Sequence, residues 1–238
     1  MDETERRVVA PRRAWLILRI GLVVYLAATA FLATSYLQLY DFLDALLIEA
    51  RVFPDPEARG AAIDRSTSIG VFVHLAAYAV SVVGYAMFYY RAMRNAQAFE
   101  PEHATVGPHA MYLWYAVPFA SLWKPLEGVM QVWRASRRRA GLDDRVPVVV
   151  GVWWASWLFG GTVGSLLDRL HPGAQALKVA DFGQPGEILT YIFLSACMFA
   201  VLGLSAIALW WISERIYKAQ IVSATSPMAL GSQSVPAE

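Results

Sequence analysis

The sequence contains few of the residues that most often carry chemistry in enzymes. Cys197 is its only cysteine, which excludes an internal disulfide and any metal site built from several cysteines. Because Cys197 lies in a long apolar run, we expect its thiol to be buried. No Gly-rich phosphate loop, HExxH or GxSxG motif is present. An enzyme is therefore uncertain and disfavoured, and we assign no cofactor, no catalytic residue and no metal ligand.

Charge is also scarce. Charged residues make up 16% of the chain, against about 25% in soluble domains. The net charge of +1 gives no global field that would attract nucleic acid, so we predict no nucleic-acid partner.

Four long apolar runs dominate what is present, at residues 14–39, 69–90, 146–167 and 188–212. About 20 apolar residues suffice for a helix to cross a bilayer, and a helix satisfies its own backbone hydrogen bonds there. The last three runs contain no charged residue, and the first contains only Arg19. The pattern predicts an all-α, polytopic membrane protein with four transmembrane helices.

The distribution of basic residues indicates the orientation of these helices. Cytoplasmic loops are enriched in Lys and Arg. Four crossings with both termini inside place fourteen basic residues in the cytoplasm and five outside. A fifth crossing through residues 111–123 would move the basic stretch 134–145 outside, so four crossings are favoured. We predict a multi-pass protein of the bacterial cytoplasmic (inner) membrane, with cytoplasmic N- and C-termini.

We expect three parts along the chain. Residues 1–13 form an N-terminal cytoplasmic tail, residues 14–218 a single four-span membrane domain, and residues 219–238 a disordered cytoplasmic tail rich in small and polar residues. The external loop at residues 41–65 is acidic, and the sequence assigns it no role. Three polar residues before the second run are candidate helix caps: Asp64, Ser66 and Ser68.

Small residues in the third run indicate close helix packing. Gly160 and Gly164 are four positions apart and therefore share one helical face. Membrane helices associate where small residues let backbones approach. We interpret this face as internal helix packing, with homodimerisation as the alternative.

The segment at about residues 107–136 predicts a cytoplasmic interfacial or re-entrant broken helix. Its first half is apolar but too short for a crossing, and Pro118 and Pro125 interrupt it. Lys124 and Glu127 are spaced to pair. From Leu126 onward apolar residues share one face and polar residues another, which is typical of a helix that lies on a membrane with its apolar face down.

A juxtamembrane basic patch follows on that helix, formed by Arg134, Arg137, Arg138 and Arg139. Such clusters attract anionic lipid headgroups with about 1 kcal/mol for each basic residue near the surface. We therefore expect membrane lipids with anionic headgroups as partners, beside a protein partner or a second copy of the chain.

His74 is the ionisable residue of the second run, where such a residue is by default a functional candidate. Tyr78 on the same face offers it a hydrogen bond, but no further ligand stands at metal-binding spacing. We interpret His74 as a packing residue.

Four motifs follow one another in order: RAMRNAQAF at 91–99, WYAVPFASLWKP at 114–125, VWRAS at 132–136 and WWASW at 153–157. Over roughly residues 14–215 this order resembles a bacterial membrane family, domain of unknown function 4328. The resemblance implies a four-span fold, and the family has no assigned activity. It falls on these positions: Arg91, Asn95, Ala96, Tyr115, Pro118, Pro125, Trp133, Arg134 and Ser136. Tyr115 stands where the family pattern has tryptophan or phenylalanine.

We expect a non-enzymatic membrane component, namely a scaffold, an accessory subunit or a lipid-facing sensor. The alternative is a small oligomeric permease or channel with a cavity at the broken helix, and a weaker one is a lipid-modifying enzyme. The candidate functional residues are Arg91, Asn95, Pro118, Trp123, Lys124, Pro125, Glu127, Trp133 and Arg134.

Overall fold

The computed structural model describes residues 9–117, 119–170 and 184–225, and these residues form α-helices and turns without any strand. The all-α prediction is therefore confirmed for the described part of the chain. The α-helices are α1 (Arg12–Leu47), α2 (Pro56–Phe99), α3 (Ala110–Leu113), α4 (Lys124–Arg139), α5 (Val148–Leu170) and α6 (Pro185–Thr225). Two single-turn 3-10 helices, Trp114–Ala116 and Ala120–Leu122, lie between α3 and α4.

Among the described residues, three helices are long and apolar enough to cross a membrane: Arg12–Leu47, Pro56–Phe99 and Pro185–Ser223. They indicate a membrane protein. The apolar part of α5 among the described residues is Val148–Thr162, which is shorter than the 18 residues required of a candidate span. The fourth crossing therefore stays a prediction.

The helix α2 begins earlier than its apolar run and is capped by a residue that the sequence analysis did not single out. The Ala58 N–H donates to Asp55 Oδ1 at 2.9 Å, and Pro56 occupies the first helical position. Asp is a favoured N-cap, and proline suits the first turn because its missing N–H is not needed there. The expected caps were wrong, because all three lie inside α2: Asp64, Ser66 and Ser68. Only residues 48–55 of the acidic stretch connect α1 to α2.

The chain divides into two compact units. Unit 1 comprises Met1–Leu16, Gly84–Val150 and Trp211–Glu238, and unit 2 comprises Ile17–Val83 and Gly151–Trp210. The single membrane domain at residues 14–218 stays a prediction.

In unit 2, the glycine face of α5 packs directly against α6. A Cβ on Gly160 would lie 2.7 Å from Leu202 Cδ2, and one on Gly164 would lie 2.7 Å from Met198 Sδ. A Cβ at either position would therefore force the contacting side chain of α6 to move. The prediction that the two glycines serve internal helix packing is confirmed.

A hydrophobic cluster in unit 2 joins the end of α1 to the start of α6. Phe53, in the short connection after α1, packs on this cluster, with its ring centroid 5.3 Å from that of Phe42. The Arg59 guanidinium lies 5.0 Å from the Phe53 ring centroid. The connection is therefore fixed to the apolar core. The buried members of the cluster are Phe42, Leu43, Ile188, Leu189, Tyr191 and Ile192.

Cys197 is exposed on α6, so the prediction of a buried thiol was wrong. The helix is apolar on every side, and lipid is as apolar as a protein core. Hydropathy alone therefore does not distinguish the face that packs on protein. Large apolar side chains are exposed in the same way along α1, α2 and α6: Ile20, Phe31, Phe72, Leu75, Phe193, Leu204 and Ile207.

Candidate functional site

The connection from α2 to α3 is held in place by two glutamine side chains. Gln97 Nε2 donates to the carbonyl oxygens of Ala104 (3.3 Å) and Val106 (3.1 Å). Gln131 Oε1 accepts from the Val106 N–H at 3.0 Å, and Gln131 Nε2 donates to Thr105 Oγ1 at 3.1 Å. These bonds satisfy backbone groups that would otherwise lack partners and tie the connection to both α2 and α4.

The helix α3 and the turn after it lie beside the later part of α2. The Tyr115 hydroxyl donates to the Tyr85 hydroxyl at 3.1 Å. The His109 ring centroid lies 4.9 Å from that of Tyr90, and His109 Nδ1 is 2.8 Å from the Tyr112 hydroxyl. Residues 109–115 therefore contact the stretch of α2 at which the second predicted span ends.

The stretch between α3 and α4 exposes a run of large apolar side chains. The most exposed is Phe119, at 76%, and its φ of 62° lies in the left-handed region that bulky residues rarely adopt. Pro118, which the sequence analysis singled out, lies outside the described residues. The exposed apolar set comprises Leu113 (56%), Val117 (41%), Phe119 (76%), Leu122 (49%) and Trp123 (51%).

The helix α4 begins directly after Trp123, at Lys124, with Pro125 buried in its first turn. Lys124 Nζ donates to Glu127 Oε2 at 2.7 Å, which confirms the predicted pair. Gln131 Nε2 lies 3.4 Å from Glu127 Oε1 and extends this polar face toward the C-terminus of the helix. The side chains of Lys124 and Glu127 are 35% and 37% exposed, so the ion pair contributes little to stability.

The apolar face of α4 is covered by protein. Val129, Val132 and Trp133 are 0 to 3% exposed. A Cβ on Gly128 would lie 2.5 Å from the Met111 sulfur, so α3 packs tightly on this face. The prediction that the face rests on lipid was wrong for these residues, because unit 1 buries it.

Asn95 belongs to a buried amide cluster. Its Nδ2 donates to Gln220 Oε1 (2.8 Å) and to the Val9 carbonyl (3.1 Å), and its Oδ1 accepts from the Val9 N–H (3.3 Å). Gln220 Nε2 donates to the Ala92 carbonyl (3.1 Å) and to Ser136 Oγ (2.9 Å). Every polar group of both amides has a partner. Asn95 therefore ties the N-terminal segment and α6 to α2, and Gln220 extends the cluster to Ser136 on α4.

Gln220 lies in the region that the sequence analysis assigned to a disordered tail. The helix α6 continues to Thr225, so the prediction of disorder was wrong for residues 219–225, and residues 226–238 lie outside the described residues. The Asn95–Gln220 contact fixes this last part of α6.

Trp133 stacks on Trp211 of α6, with ring centroids 5.8 Å apart and planes at 16°. Its indole N–H donates to the Arg145 carbonyl at 3.0 Å. The Arg137 guanidinium carbon lies 5.0 Å from the Trp133 ring centroid, and that of Arg215 lies 4.9 Å from the Trp211 ring centroid. Sequence analysis missed Trp211 and Arg215 as partners, although Trp-x-x-x-Arg occurs in both helices.

The arginines of the basic patch differ in their surroundings. Arg138 Nη1 donates to Glu100 Oε2 at 3.0 Å, and Arg138 Nε donates to Asp144 Oδ2. The hydrogen bond from Arg138 lowers the pKa of Asp144 below its ordinary value. Arg134 and Arg139 are exposed, and neither forms an ion pair within 4.0 Å among the described residues, although the charge of Arg134 also helps to lower the pKa of Asp144.

Arg91 and His74 take no part in this site. Arg91 is half-buried on α2, one turn before Asn95. In unit 2, His74 Nδ1 lies 3.3 Å from Thr29 Oγ1, and the His74 ring centroid lies 4.6 Å from that of Tyr25. Thr29 and Tyr25 therefore take the place of the expected partner Tyr78. Among the described residues no group of His, Cys, Asp and Glu side chains could hold a metal ion.

In the part of the chain that the structure describes, the fold and the site define an all-α protein with three membrane-length apolar helices and a broken helical segment between α2 and α4. The model of the family described as Domain of unknown function (DUF4328) matches residues 53–216, which is more than half of the chain. The chain belongs to this family, and its biochemical activity is not established by that membership. The comparison with curated proteins and the comparison with solved structures gave no match.

Proposed function

We propose that the protein is a non-enzymatic, lipid-facing component of a bacterial inner membrane. It crosses the membrane four times with both termini in the cytoplasm, and the segment at residues 113–123 enters the cytoplasmic leaflet. Its basic helix end binds anionic headgroups. The observation that carries this proposal is the exposed apolar set from Leu113 to Trp123.

The location of this set supports lipid as its environment. Contiguous apolar surface of this kind is unfavourable in water, at about 25 cal/mol for each Å². The segment lies beside α2 between Tyr85 and Tyr90, through the Tyr115–Tyr85 and His109–Tyr90 contacts. The second predicted span covers residues 69–90 and ends on the cytoplasmic side. Tyr85 and Tyr90 lie near that end, so the segment that contacts them lies in the cytoplasmic half of the proposed bilayer.

Several backbone groups of the segment have internal partners. The Val117 N–H donates to the Trp114 carbonyl (3.2 Å), and the Trp123 N–H donates to the Ala120 carbonyl (3.2 Å). The Ser121 N–H donates to the Val117 carbonyl at 3.0 Å. A backbone group without a partner in lipid costs several kcal/mol, so these internal bonds lower the cost of a shallow entry beside the headgroups.

The course of α4 supports an exit from the membrane toward the cytoplasm. Its C-terminal residue Arg139 lies with its guanidinium carbon 5.8 Å from the Phe99 ring centroid, at the end of α2. Phe99 is 14 positions after Tyr85, or about 21 Å along a helix. The first residues of α4 follow the apolar set, and its arginine-rich end lies level with the cytoplasmic end of α2.

Thiol labelling in inside-out membrane vesicles tests this placement. In a Cys197→Ser background, we expect Phe119→Cys and Leu122→Cys to react with a membrane-impermeant maleimide at least about tenfold more slowly than Leu142→Cys, because lipid excludes the charged reagent. Leu142 is the matched control, since it is 46% exposed, much like Leu122 at 49%, and follows the far end of α4. Detergent should remove the difference.

Equal labelling of Phe119→Cys and Leu142→Cys would show that the segment lies in water and would refute its entry into the membrane. Fast labelling of Phe119→Cys from both sides of the membrane would also refute the proposal. It would favour a permease with a water-filled path at this segment.

A further inference from the structure

Two arginine–tryptophan pairs with identical spacing face each other in unit 1. Trp133 and Arg137 are four positions apart on α4, and Trp211 and Arg215 are four positions apart on α6. Side chains on a helix point toward its N-terminus, so each arginine reaches back over the tryptophan one turn earlier. The stacked indoles, 5.8 Å apart, bring the two pairs together.

In the proposed membrane, the two arginine–tryptophan pairs lie at the depth of the lipid headgroups. Trp211 is the second-last residue of the fourth apolar run at residues 188–212, and Arg215 follows one turn beyond it. Because Trp133 stacks on Trp211, the α4 pair lies at the same level. Tryptophan concentrates at membrane interfaces, and arginine extends from there toward phosphate.

The neighbouring charged residues leave the guanidinium groups of Arg137 and Arg215 available to bind a ligand. Arg215 is exposed and pairs with no carboxylate among the described residues, while the adjacent Glu214 is held by Lys218 at 2.7 Å. Arg137 donates its Nε–H to the Asp143 carbonyl, and no described carboxylate pairs with it. Arg138, in contrast, is engaged by Glu100 and Asp144.

A guanidinium group held over an aromatic face keeps its edge donors for a ligand. The ring face attracts the cation, and the planar group presents N–H donors that match phosphate oxygens. The Trp211 indole, which is 36% exposed, supplies apolar surface next to the same ligand, whereas Trp133 is buried and supports the stack. The combination suits a molecule that carries phosphate beside an apolar part.

We propose that Arg137 and Arg215, held over Trp133 and Trp211, bind the phosphate group of anionic phospholipids. This proposal rests on the proposed lipid-facing function. It names the arginines near the end of α4 and on α6 that bind the headgroups. Arg215 becomes a ligand residue, and Arg138 has a structural role. Free phosphate shares the same chemistry, but the position of Trp211 at the end of an apolar run favours the lipid.

The test measures how much phosphatidylglycerol the purified full chain retains from mixed phosphatidylglycerol and phosphatidylcholine micelles, by mass spectrometry of the bound lipid. Each arginine contributes about a fivefold change in affinity, so the double variant Arg137→Gln/Arg215→Gln should lose about thirtyfold. The variant Glu214→Gln/Lys218→Gln removes the neighbouring ion pair from α6 without a change in net charge and is the control, with retention expected to stay near that of the wild type. The single variant Arg215→Gln changes only an exposed side chain and keeps the test valid if the double variant does not fold.

The outcomes separate the two proposals. A wild-type chain without preference for phosphatidylglycerol would refute the lipid-facing function itself. A wild-type preference that persists in Arg215→Gln and in the double variant would refute this site alone. If inorganic phosphate stabilises the wild type against heat as strongly as phosphatidylglycerol does, and Arg215→Gln removes that effect, the lipid assignment is refuted in favour of a soluble phosphate ligand.

Discussion

The interiors of the two units are built from different interactions. Unit 1 buries a hydrogen-bonded amide cluster in which Asn95 and Gln220 satisfy each other and the backbone. Unit 2 buries no Asn or Gln among its described residues, and Gly160 and Gly164 of α5 meet apolar side chains of α6 there. The first arrangement depends on bonds with defined partners, and the second on the absence of side-chain volume.

The difference corresponds to the predicted environment of each region. Unit 2 contains most of the apolar runs, where no hydrophobic driving force distinguishes helix contacts from lipid contacts and close backbone approach stabilises association. Unit 1 contains the segments that extend past the second and fourth runs, where polar residues are frequent and buried amides give a unique arrangement. Substitutions in the two interiors should therefore act by different mechanisms.

The largest effect should come from Gln220→Leu in unit 1. The apolar side chain leaves Ser136 Oγ and one Asn95 N–H without their buried partner and removes a second bond to the Ala92 carbonyl, and each group left without a partner costs about 1–3 kcal/mol. Because these costs are not additive, we expect the free energy of unfolding in detergent to fall by about 3 kcal/mol. Chemical denaturation followed by circular dichroism measures this change.

Val222→Leu is the control for Gln220→Leu, since it enlarges a side chain that is 48% exposed on the same helix. Its free energy of unfolding should match that of the wild type. If Gln220→Leu behaves like Val222→Leu, the amide cluster does not stabilise unit 1 and the proposed contrast between the units is wrong.

A smaller effect is expected in unit 2. Gly160→Ala should lower the free energy of unfolding, and Gly161→Ala at the adjacent position should raise it. A Cβ at Gly160 would meet Leu202 at 2.7 Å, so overpacking should lower the free energy of unfolding by about 1 kcal/mol. A Cβ at Gly161 meets no described atom within 4 Å, so its substitution should raise stability by about 0.5–1 kcal/mol through helix propensity. Thermal unfolding of both variants in one detergent measures the difference. Equal midpoints would mean that α5 does not pack on α6 at Gly160.

Short-range patterns predicted the local contacts of this chain. Lys124 and Glu127 are three positions apart, and a helix alone brings them together, so their ion pair followed from spacing. Gly160 and Gly164 indicated a packing face in the same way. The helix that occupies this face was not predictable, because any apolar helix fits a small-residue face.

Two features could be found only from the structure. One is which distant residues contact each other, and the other is whether protein or lipid covers an apolar helix face. Asn95 and Gln220 are 125 positions apart, and nothing in the sequence pairs two amides at that separation. The apolar face of α4 was recognised correctly, but its pattern does not distinguish lipid from α3, which covers Gly128 through Met111. Exposed Cys197 illustrates the same limit within a helix that is apolar on all sides.

The smallest effect should come from the exposed ion pairs of unit 1, through Asp144→Asn. The hydrogen bond from Arg138 lowers the pKa of Asp144 below its ordinary value of 3.8, so the carboxylate stabilises the fold above that pH. Its contribution is lost as the pH falls through the lowered pKa of the folded protein. The wild type should therefore have a slightly higher thermal midpoint than Asp144→Asn at neutral pH, and the two midpoints should converge below about pH 3.8.

Glu102→Gln is the control, since it removes an exposed acidic charge from the same unit. The difference between its thermal midpoint and that of the wild type should not shrink as the pH falls. A difference between wild type and Asp144→Asn that is constant from neutral to acidic pH would mean that Arg138 does not bind the ionised carboxylate, and Arg138 would return to the set of arginines available to headgroups.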